Sequence, residues 1–282
     1  MAFFGRERVV GKSRAQLVAM RAAGLLVGQT LAMLRTEVRA GRSTAELDSL
    51  AETFIRDHGG TPSFLGYHGF TGTLCTSVND EIVHGIPGPR VLADGDLVSV
   101  DCGAIVDGWH GDAAVSLVVG GPDAARAEDL ALIEATRQSL WAGIAALRVD
   151  APLYDVGAAV EDSIVASSRR DGHDYGIVED YVGHGIGTAM HMDPQVPNYR
   201  VQGRGPKIVD GTTLAIEPMV TLGAQDNKVL ADDWTVVTLD GSRAAHWENT
   251  VAVTEAGLWV LTEVDGGQAE LAAHGAAYAP LS

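Results

Sequence analysis

The stretch LVSVDCGAIVDGWHGDAAVSLVV, residues Leu97–Val119, decides the fold of the chain. Two runs of β-branched and small apolar residues flank Asp107-Gly108, and an Asp-Gly pair in this setting is a strong signal for a two-residue β-hairpin turn. Each run contains one acid, Asp101 or Asp112, at nearly the same distance from the turn. We therefore expect an antiparallel hairpin whose two carboxylates lie nearly opposite one another, with Cβ atoms ~5 Å apart.

The segments around this hairpin predict two similar halves, each made of two helices followed by short strands. Apolar residues recur at three- and four-residue steps in four segments, which is typical of amphipathic helices. A short sequence repeat supports the division into two halves. Leu47, Glu52 and Ile55 match the similar residues Val156, Glu161 and Ile164 at a constant offset of 109. The predicted helices are 13–40, 43–58, 124–147 and 153–170; the predicted strands are 97–106, 109–119 and short runs between about 175 and 261.

Composition and charge exclude several classes of protein. Apolar residues make up 46% of the 282 residues and charged residues 20%, a balance typical of a globular protein and not of a disordered or fibrous chain. Against 20 Lys and Arg stand 37 acids, a net charge of −17, so nucleic acid is not an expected partner. No uninterrupted apolar run reaches the ~18 residues of a membrane span, and the N-terminus does not resemble a signal peptide. Two cysteines, Cys75 and Cys102, allow at most one bridge, so a cytoplasmic protein is expected.

Five residues in or beside short strand-like runs are candidates for one metal site. A buried lone carboxylate is costly unless it is paired, and few cations lie near these acids in the sequence. One such acid is more often a salt-bridged structural residue, but four acids and an imidazole together favour a shared pair of divalent ions. This oxygen-rich set suits Mn, Fe, Co or Zn rather than copper. The five residues are Asp101, Asp112, His184, Glu217 and Glu248.

Short motifs surround these candidates: Ile82–Pro87 (IVHGIP), Asp101–Gly103 (DCG), Gly183–Gly187 (GHGIG), Met190–His191, Ile216–Met219 (IEPM) and Glu248–Thr250 (ENT). In these motifs the chain resembles the type I methionine aminopeptidases, metallopeptidases with the pita-bread fold. The resemblance runs from about residue 9 to residue 261; each motif is weak alone, but their order and spacing together are specific. It implies an α+β fold in which two pseudo-symmetric helix-helix-strand halves and a curved antiparallel sheet enclose a dinuclear metal site.

The resemblance also implies a function and its cofactors. The chain would be a metal-dependent aminopeptidase that removes the N-terminal methionine from proteins and peptides, with two divalent ions (Co, Mn, Fe or Zn). Asp101 would chelate one ion, and His184 and Glu217 the other. Asp112 and Glu248 would bridge both. A hydroxide that bridges the ions would attack the first peptide carbonyl.

Three residues receive catalytic roles from the same resemblance. Glu217 would pass a proton toward the leaving amine, and His191 would hydrogen-bond the carbonyl as its negative charge grows. His84 would contact the scissile amide or the next residue, while the substrate α-amino group would lie against the ion held by Asp101. The implied pocket for the methionine side chain consists of Tyr67, Phe70, Cys75, Met190 and Trp234. For Phe70 and Met190, ordinary core packing explains the residue type equally well.

Other residues near the motifs have simpler interpretations. His68, His110 and His246 are expected to be surface or hydrogen-bonded histidines. Gly183-x-Gly185-x-Gly187 superficially resembles a phosphate-binding loop but lacks the following Lys and Ser/Thr, so we reject that function. A metal site needs no thiol nucleophile, so Cys75 is not expected to act as one.

The expected organisation is an N-terminal arm at residues 1–12, a single catalytic domain at 13–261 and a loosely held C-terminal tail at 262–282. An aminopeptidase P or prolidase of the same fold is the first alternative, disfavoured because those relatives usually carry a separate N-terminal domain. A non-catalytic binder is the second, disfavoured because all five candidate ligands are present. An enzyme with one metal ion stays open. The expected partners are N-termini of nascent proteins and peptides, with no nucleic acid and no membrane, and the chain is expected to be a monomer.

Overall fold

The computed structural model describes residues 9–281, so the predicted N-terminal arm, residues 1–12, falls largely outside the described residues. Within that range the helices are α1 (Arg14–Glu37), α2 (Thr44–Asp57), α3 (Ala127–Ala145), α4 (Asp155–Asp171) and α5 (Gln268–Ala273), with a 3₁₀ turn at Tyr67–Gly69. The strands are β1 (Thr61–Pro62), β2 (Leu74–Val78), β3 (Glu81–Val83), β4 (Leu97–Val106), β5 (Trp109–Val118), β6 (Gly176–Ile177), β7 (Gly183–Gly185), β8 (Met192–Val196), β9 (Thr212–Ile216), β10 (Met219–Thr221), β11 (Asn227–Val229), β12 (Val236–Thr238), β13 (Ala244–His246), β14 (Glu248–Thr254) and β15 (Gly257–Val260).

The four predicted helices are present as α1 to α4, and each end lies within a few residues of the prediction. Helix α1 ends at Glu37, before the predicted residue 40, because Val38 is extended while its N–H still bonds to the carbonyl of Leu34. The apolar positions that match between the two halves are all buried: Leu47 and Ile55 on α2, and Val156 and Ile164 on α4.

A capping box at the start of α2 makes a measurable contribution to stability. The Ser43 hydroxyl accepts the N–H of Glu46 at 3.2 Å, and the Glu46 carboxylate accepts the N–H of Ser43 at 2.7 Å. We expect Ser43→Ala to lower the free energy of unfolding by about 1 kcal/mol and the Tm by about 2–4 °C, measured by thermal denaturation. Ser49→Ala, an exposed change on the same helix, is the control and should leave the Tm unchanged; equal Tm values for both variants would contradict the capping role.

The hairpin β4–β5 forms as predicted and belongs to the largest sheet, whose strands follow the order β1-β4-β5-β14-β9-β7-β8. The pairings along this order are antiparallel. Strand β14 lies between β5 from the first half and β9 from the second, so it joins both halves into one curled sheet. This confirms the predicted α+β architecture of two helix-helix-strand halves around a curved antiparallel sheet.

The two acids of the hairpin are diagonal neighbours and not directly opposite one another. Because the turn occupies only Asp107-Gly108, Asp112 pairs with Gly103 and Asp101 pairs with Ala114. Both side chains therefore point to the same face, but they are offset by two residues along the strands. Diagonal neighbours are about 7–8 Å apart, so the expected spacing of ~5 Å is corrected.

Helix α1 lies across the hairpin and buries one face against it. The approach is so close that a Cβ on Gly111 of β5 would lie 2.7 Å from the backbone of Gly24 in α1. By length and composition α1 is apolar enough to span a membrane, which a count of uninterrupted apolar runs does not reveal. A helix that packs in the core of a protein passes the same test, so this observation is weak evidence for a membrane segment.

Residues 262–281 are packed on the domain, contrary to the expectation of a loosely held tail. Helix α5 buries Leu271 in the main core, and Tyr278 forms a bridge with strand β15. Arg21 of α1 donates hydrogen bonds to backbone carbonyls in the segment 261–264. The sequence analysis missed this attachment because it depends on backbone carbonyls, which every residue supplies, and on one arginine far away in the chain.

Candidate metal centre

The register of three strands turns three of the candidate acids to one face of the sheet. Paired residues on antiparallel strands point to the same side. Ala114 of β5 pairs with Asp101 on one side and with Glu248 of β14 on the other. Asp112 lies two residues before Ala114 and shares its face, because side chains alternate along a strand.

The other two candidates join that face from the second half of the chain. Continuing the β14–β9 register by one residue beyond its last pair sets Glu217 beside Glu248. His184 of β7 pairs with Ala215, which lies two residues before Glu217 on the same face. The five predicted ligands therefore come from neighbouring strands and point into one space.

That space is a cavity of about 750 Å³, its open mouth included, and all five candidates line it. Ligand atoms of Asp112, His184 and Glu248 lie within 4.8 Å of one another. The Nε2 atom of His184 lies 3.4 Å from Oε1 of Glu217. Each of these side chains is largely buried. The side chains that are far apart in the sequence thus converge at one place.

The imidazole of His184 is held in the state that a metal requires. Its Nδ1 lies 2.9 Å from the carbonyl oxygen of Gly185, which can only accept a hydrogen bond. Burial, with a smaller contribution from the neighbouring His191, lowers the pKa of His184 to about 3. The ring is therefore neutral, and its Nε2 lone pair faces the acids.

The acids are held at strongly perturbed pKa values. Burial raises the pKa of Asp101 to about 7. Burial, followed by the charges of Glu248 and Asp101, raises the pKa of Asp112 well above its usual range. The pKa values of Glu217 and Glu248 are likewise raised, first by burial and then by neighbouring carboxylates. Perturbed groups clustered in a cavity are typical of a functional site.

This donor set fits divalent cations. One oxygen each of Asp101, Asp112 and Glu248 is buried without a hydrogen-bond partner, although unpartnered buried polar atoms are rare in proteins. Bound cations would coordinate these oxygens and offset the repulsion between the carboxylates. Carboxylate oxygens with one imidazole nitrogen are hard-to-borderline ligands, which suits Mn, Fe, Co or Zn.

An apolar cluster forms one wall of the same cavity. Phe70, Cys75 and Met190 are buried in it, and Tyr67 and Trp234 pack against them half-buried. All five predicted pocket residues therefore line the cavity beside the acids. The rings of Phe70 and Trp234 meet edge to face with centroids 5.1 Å apart. Burial, followed by the nearby carboxylates, raises the pKa of the Cys75 thiol, which agrees with a packing role and not with a nucleophile.

The two histidines predicted to act on the substrate also border the cavity. The ring of His191 lies 4.3 Å from that of His184, and its Nδ1 lies 2.8 Å from the hydroxyl of Tyr67. His84 adopts a left-handed backbone conformation (φ 60°), and burial lowers its pKa to about 4. Both rings are thus near the acids and the apolar wall.

Sequence reasoning missed some residues at this site. Phe64, Val83, Tyr181 and Val182 also line the cavity. Tyr181 contacts the ring of His84 edge to face at 5.5 Å, and its position three residues before His184 is the signal that marks it. Of the remaining histidines, His68 is exposed and His110 hydrogen-bonds Ser63, as expected. The expectation for His246 is wrong, because it is buried and its Nε2 has no partner.

Comparisons with known proteins agree with this geometry. Residues 18–255 match the model of metallopeptidase family M24. A protein of Mycobacterium tuberculosis called methionine aminopeptidase 1 is 54% identical over 259 residues, covering 92% of this chain and 96% of that protein. The crystal structure of methionine aminopeptidase from Thermotoga maritima is similar with a TM-score of 0.85 and 36% identity, covering 91% of this chain and 100% of that chain.

A prolidase from Pyrococcus furiosus has a TM-score of 0.70 at 18% identity; 90% of this chain aligns with 65% of that one, which shows a shared fold alone. The family match and the high identity to a curated relative, together with a cavity lined by four acids and three histidines, place the molecule among metallopeptidases of the pita-bread fold. The chain therefore belongs to metallopeptidase family M24 and, within it, to the methionine aminopeptidases.

Proposed function

We propose that the chain removes methionine from the N-termini of proteins and peptides, in the cytoplasm, with two divalent metal ions. The observation that carries the proposal is the joining of an acid-rich metal centre to a small apolar pocket within one cavity. A metal centre can activate the nucleophile for peptide hydrolysis, and a pocket beside it can select the N-terminal side chain. The names of the relatives support the same substrate class.

In this proposal Asp101 would hold one ion, His184 and Glu217 would hold the other, and Asp112 and Glu248 would contact both. Four carboxylates and one imidazole supply enough donors for two cations. When bound, the ions would supply a nucleophilic hydroxide at neutral pH and polarise the scissile carbonyl. The ligand chemistry limits the metal to Co, Mn, Fe or Zn, and the availability of these metals in the cell selects among them.

The chain's own residues transfer the protons and stabilise the charge that develops on the substrate. Glu217, beside His184 Nε2, takes a proton from the attacking group and passes it to the leaving amine. His191 donates a hydrogen bond to the carbonyl oxygen as negative charge grows on it. His84 would contact the scissile amide. Burial lowers the pKa of His84 to about 4, so its ring is neutral near pH 7.

The pocket fits methionine by its chemistry. Phe70 and Trp234 offer aromatic edges, and Cys75 and Met190 offer polarisable sulfur, which suits a thioether. The substrate α-amino group would lie against the ion held by Asp101, which would restrict cleavage to free N-termini. A single domain at residues 13–261 that acts as a monomer on exposed chain ends, with no role for nucleic acid or a membrane, is the simplest organisation.

A peptide series tests the proposal. With Co or Mn added, we expect release of methionine from Met-Ala-Ser, no cleavage of acetyl-Met-Ala-Ser, and loss of activity with a chelator that is reversed by metal. A preference for Xaa-Pro peptides would instead indicate an aminopeptidase P or prolidase. A purified protein with no bound metal and no gain of activity on adding Co or Mn would indicate a binding protein.

A further inference from the structure

Tyr67 makes a contact that a side chain serving only as pocket wall does not need. Its hydroxyl lies 2.8 Å from Nδ1 of His191, and the two rings are tilted with centroids 5.4 Å apart. Within the described residues this is the hydroxyl's one hydrogen bond. The phenol therefore contacts the imidazole that faces the metal centre, although the two residues are 124 positions apart.

The turn that carries Tyr67 holds the hydroxyl in place. The Tyr67 N–H bonds to the carbonyl of Phe64 at 2.8 Å, and the Tyr67 carbonyl accepts the N–H of Phe70 at 2.9 Å. Gly66 closes the turn with a positive φ of 86° and bonds to the carbonyl of Phe70. Because the backbone is hydrogen-bonded on both sides of Tyr67, the direction of its Cα–Cβ bond is fixed, and the bond to His191 then orients the ring.

A neutral imidazole carries its proton on only one nitrogen, and the partner of the other nitrogen decides which. A phenol is a good O–H donor and a weaker acceptor than a carbonyl, so the pairing favours Tyr67 donating to Nδ1 of His191. The proton of the imidazole then sits on Nε2. Of the two neutral tautomers, only this one gives His191 an N–H, and not a lone pair, at Nε2.

We propose that Tyr67 is a positioning residue that fixes His191 as the Nε2–H tautomer, so that Nε2 can donate to the substrate carbonyl. This inference rests on the proposed function for its effect on catalysis, but the tautomer itself does not depend on activity. Without the hydroxyl, both tautomers would be populated and the ring would lose one of its anchors. The same residue thus lines the pocket and orients the hydrogen-bond donor.

The test uses Tyr67→Phe, which keeps the ring that lines the pocket and removes only the hydroxyl. On Met-Ala-Ser we expect kcat to fall about tenfold, the size of one lost hydrogen bond in the transition state, while KM stays within about twofold. If Tyr67 acts through His191, then adding Tyr67→Phe to His191→Ala should cause no further loss of kcat. Tyr175→Phe is the matched control: its hydroxyl also hydrogen-bonds, to Asp171 on α4, but outside the cavity.

The second readout is the ¹⁵N spectrum of the histidine rings in the full chain, recorded without added metal and again with zinc. His191 is assigned by the signals that His191→Ala removes. We expect the Nε2–H tautomer in the wild type and in Tyr175→Phe, and a mixture in Tyr67→Phe. If the wild type cleaves no methionyl peptide, this spectrum still decides the inference.

Three results would overturn the proposal. One is an Nδ1–H tautomer of His191 in the wild type, or a tautomer that Tyr67→Phe does not change. Another is a rise in KM with unchanged kcat, which would assign Tyr67 to the pocket alone. The third is an equal loss of kcat from Tyr67→Phe in the wild-type and His191→Ala backgrounds, which would mean that Tyr67 acts by another route.

Discussion

Replacing Asp112 by asparagine is expected to abolish turnover and, at the same time, to stabilise the metal-free protein at pH 8. Asp112 is buried between Glu248 and Asp101, and it lies among the atoms that converge within 4.8 Å. Loss of an outer-shell partner of a metal already costs about 10–100-fold, so loss of a direct ligand should lower kcat more than about 100-fold. The amide keeps the shape of the side chain, so the loss would reflect charge and coordination.

The gain in stability follows from the direction of the pKa shift. Burial and two neighbouring acids raise the folded-state pKa of Asp112 above its unfolded value, so the folded metal-free chain retains a proton that the unfolded chain loses. Stability therefore falls as pH rises above the unfolded pKa of an aspartate. Asparagine carries no such penalty, and its advantage over aspartate should vanish at low pH, where the carboxyl is neutral in both states.

Calorimetry in the presence of a chelator measures this effect at two pH values. We expect the Tm of Asp112→Asn to exceed that of the wild type at pH 8 and to approach it at pH 5. In separate samples without chelator, we expect the variant to have lost both bound metal and activity. Asp107→Asn, in the turn of the same hairpin, is the control and should keep both metal and activity, since Asn-Gly also favours this turn. A variant that keeps more than a few per cent of activity would remove Asp112 from the metal centre.

Replacing Arg21 by methionine is expected to lower the free energy of unfolding by about 3 kcal/mol. This is the largest loss of stability that we expect for a partly exposed side chain. Its guanidinium donates to the carbonyls of Leu261, Glu263 and Val264 and lies over the ring of Trp259. A hydrogen bond from a charged donor contributes about 1.5–3 kcal/mol when it is buried, and less where water can replace the donor. Two of these three bonds are only partly buried and one is exposed, so we expect them to sum to about 3 kcal/mol. Methionine retains the apolar contact and none of these bonds.

Arg35→Met provides the matched control on the same helix. Its guanidinium also lies over a tryptophan ring, that of Trp247 at 5.4 Å, and its charge attracts Glu263, but in the described part of the chain it makes no hydrogen bond to the C-terminal segment. We expect a loss of about 0.5–1 kcal/mol there, and faster proteolysis after residue 261 only in Arg21→Met. Equal destabilisation of the two variants would show that the hydrogen bonds from Arg21 to the backbone carbonyls do not account for its effect.

The sequence predicts those features that depend on local pattern. The Asp107-Gly108 turn fixes the hairpin, and apolar periodicity fixes helices α1 to α4, because both signals act over a few residues. The convergence of Asp101 and Glu248 was predicted only because isolated acids in apolar strands need a common partner. Their arrangement as diagonal and adjacent neighbours follows from strand register, which the sequence alone does not display.

The features that sequence reasoning missed depend on contacts between distant parts of the chain. Residues 262–281 are held on the domain in part by Arg21. The alanine- and glycine-rich sequence of that segment contains no pattern that predicts an arginine partner. His246 resembles any polar strand residue until its neighbours are known, and Tyr181 contacts His84 and packs against the apolar cluster that includes Met219. In each case the decisive partner lies more than ten residues away, beyond the reach of periodicity or turn signals.

The strand order has a consequence for how the molecule is made. During synthesis the hairpin β4–β5 is made long before β14, the strand that pairs with β5, and Arg21 is made 240 residues before the carbonyl of Leu261. The first half therefore lacks its neighbouring strand and the partners of Arg21 until most of the chain has been made. We expect folding to finish in one late, slow step after the last residues are released, as in proteins dominated by non-local contacts.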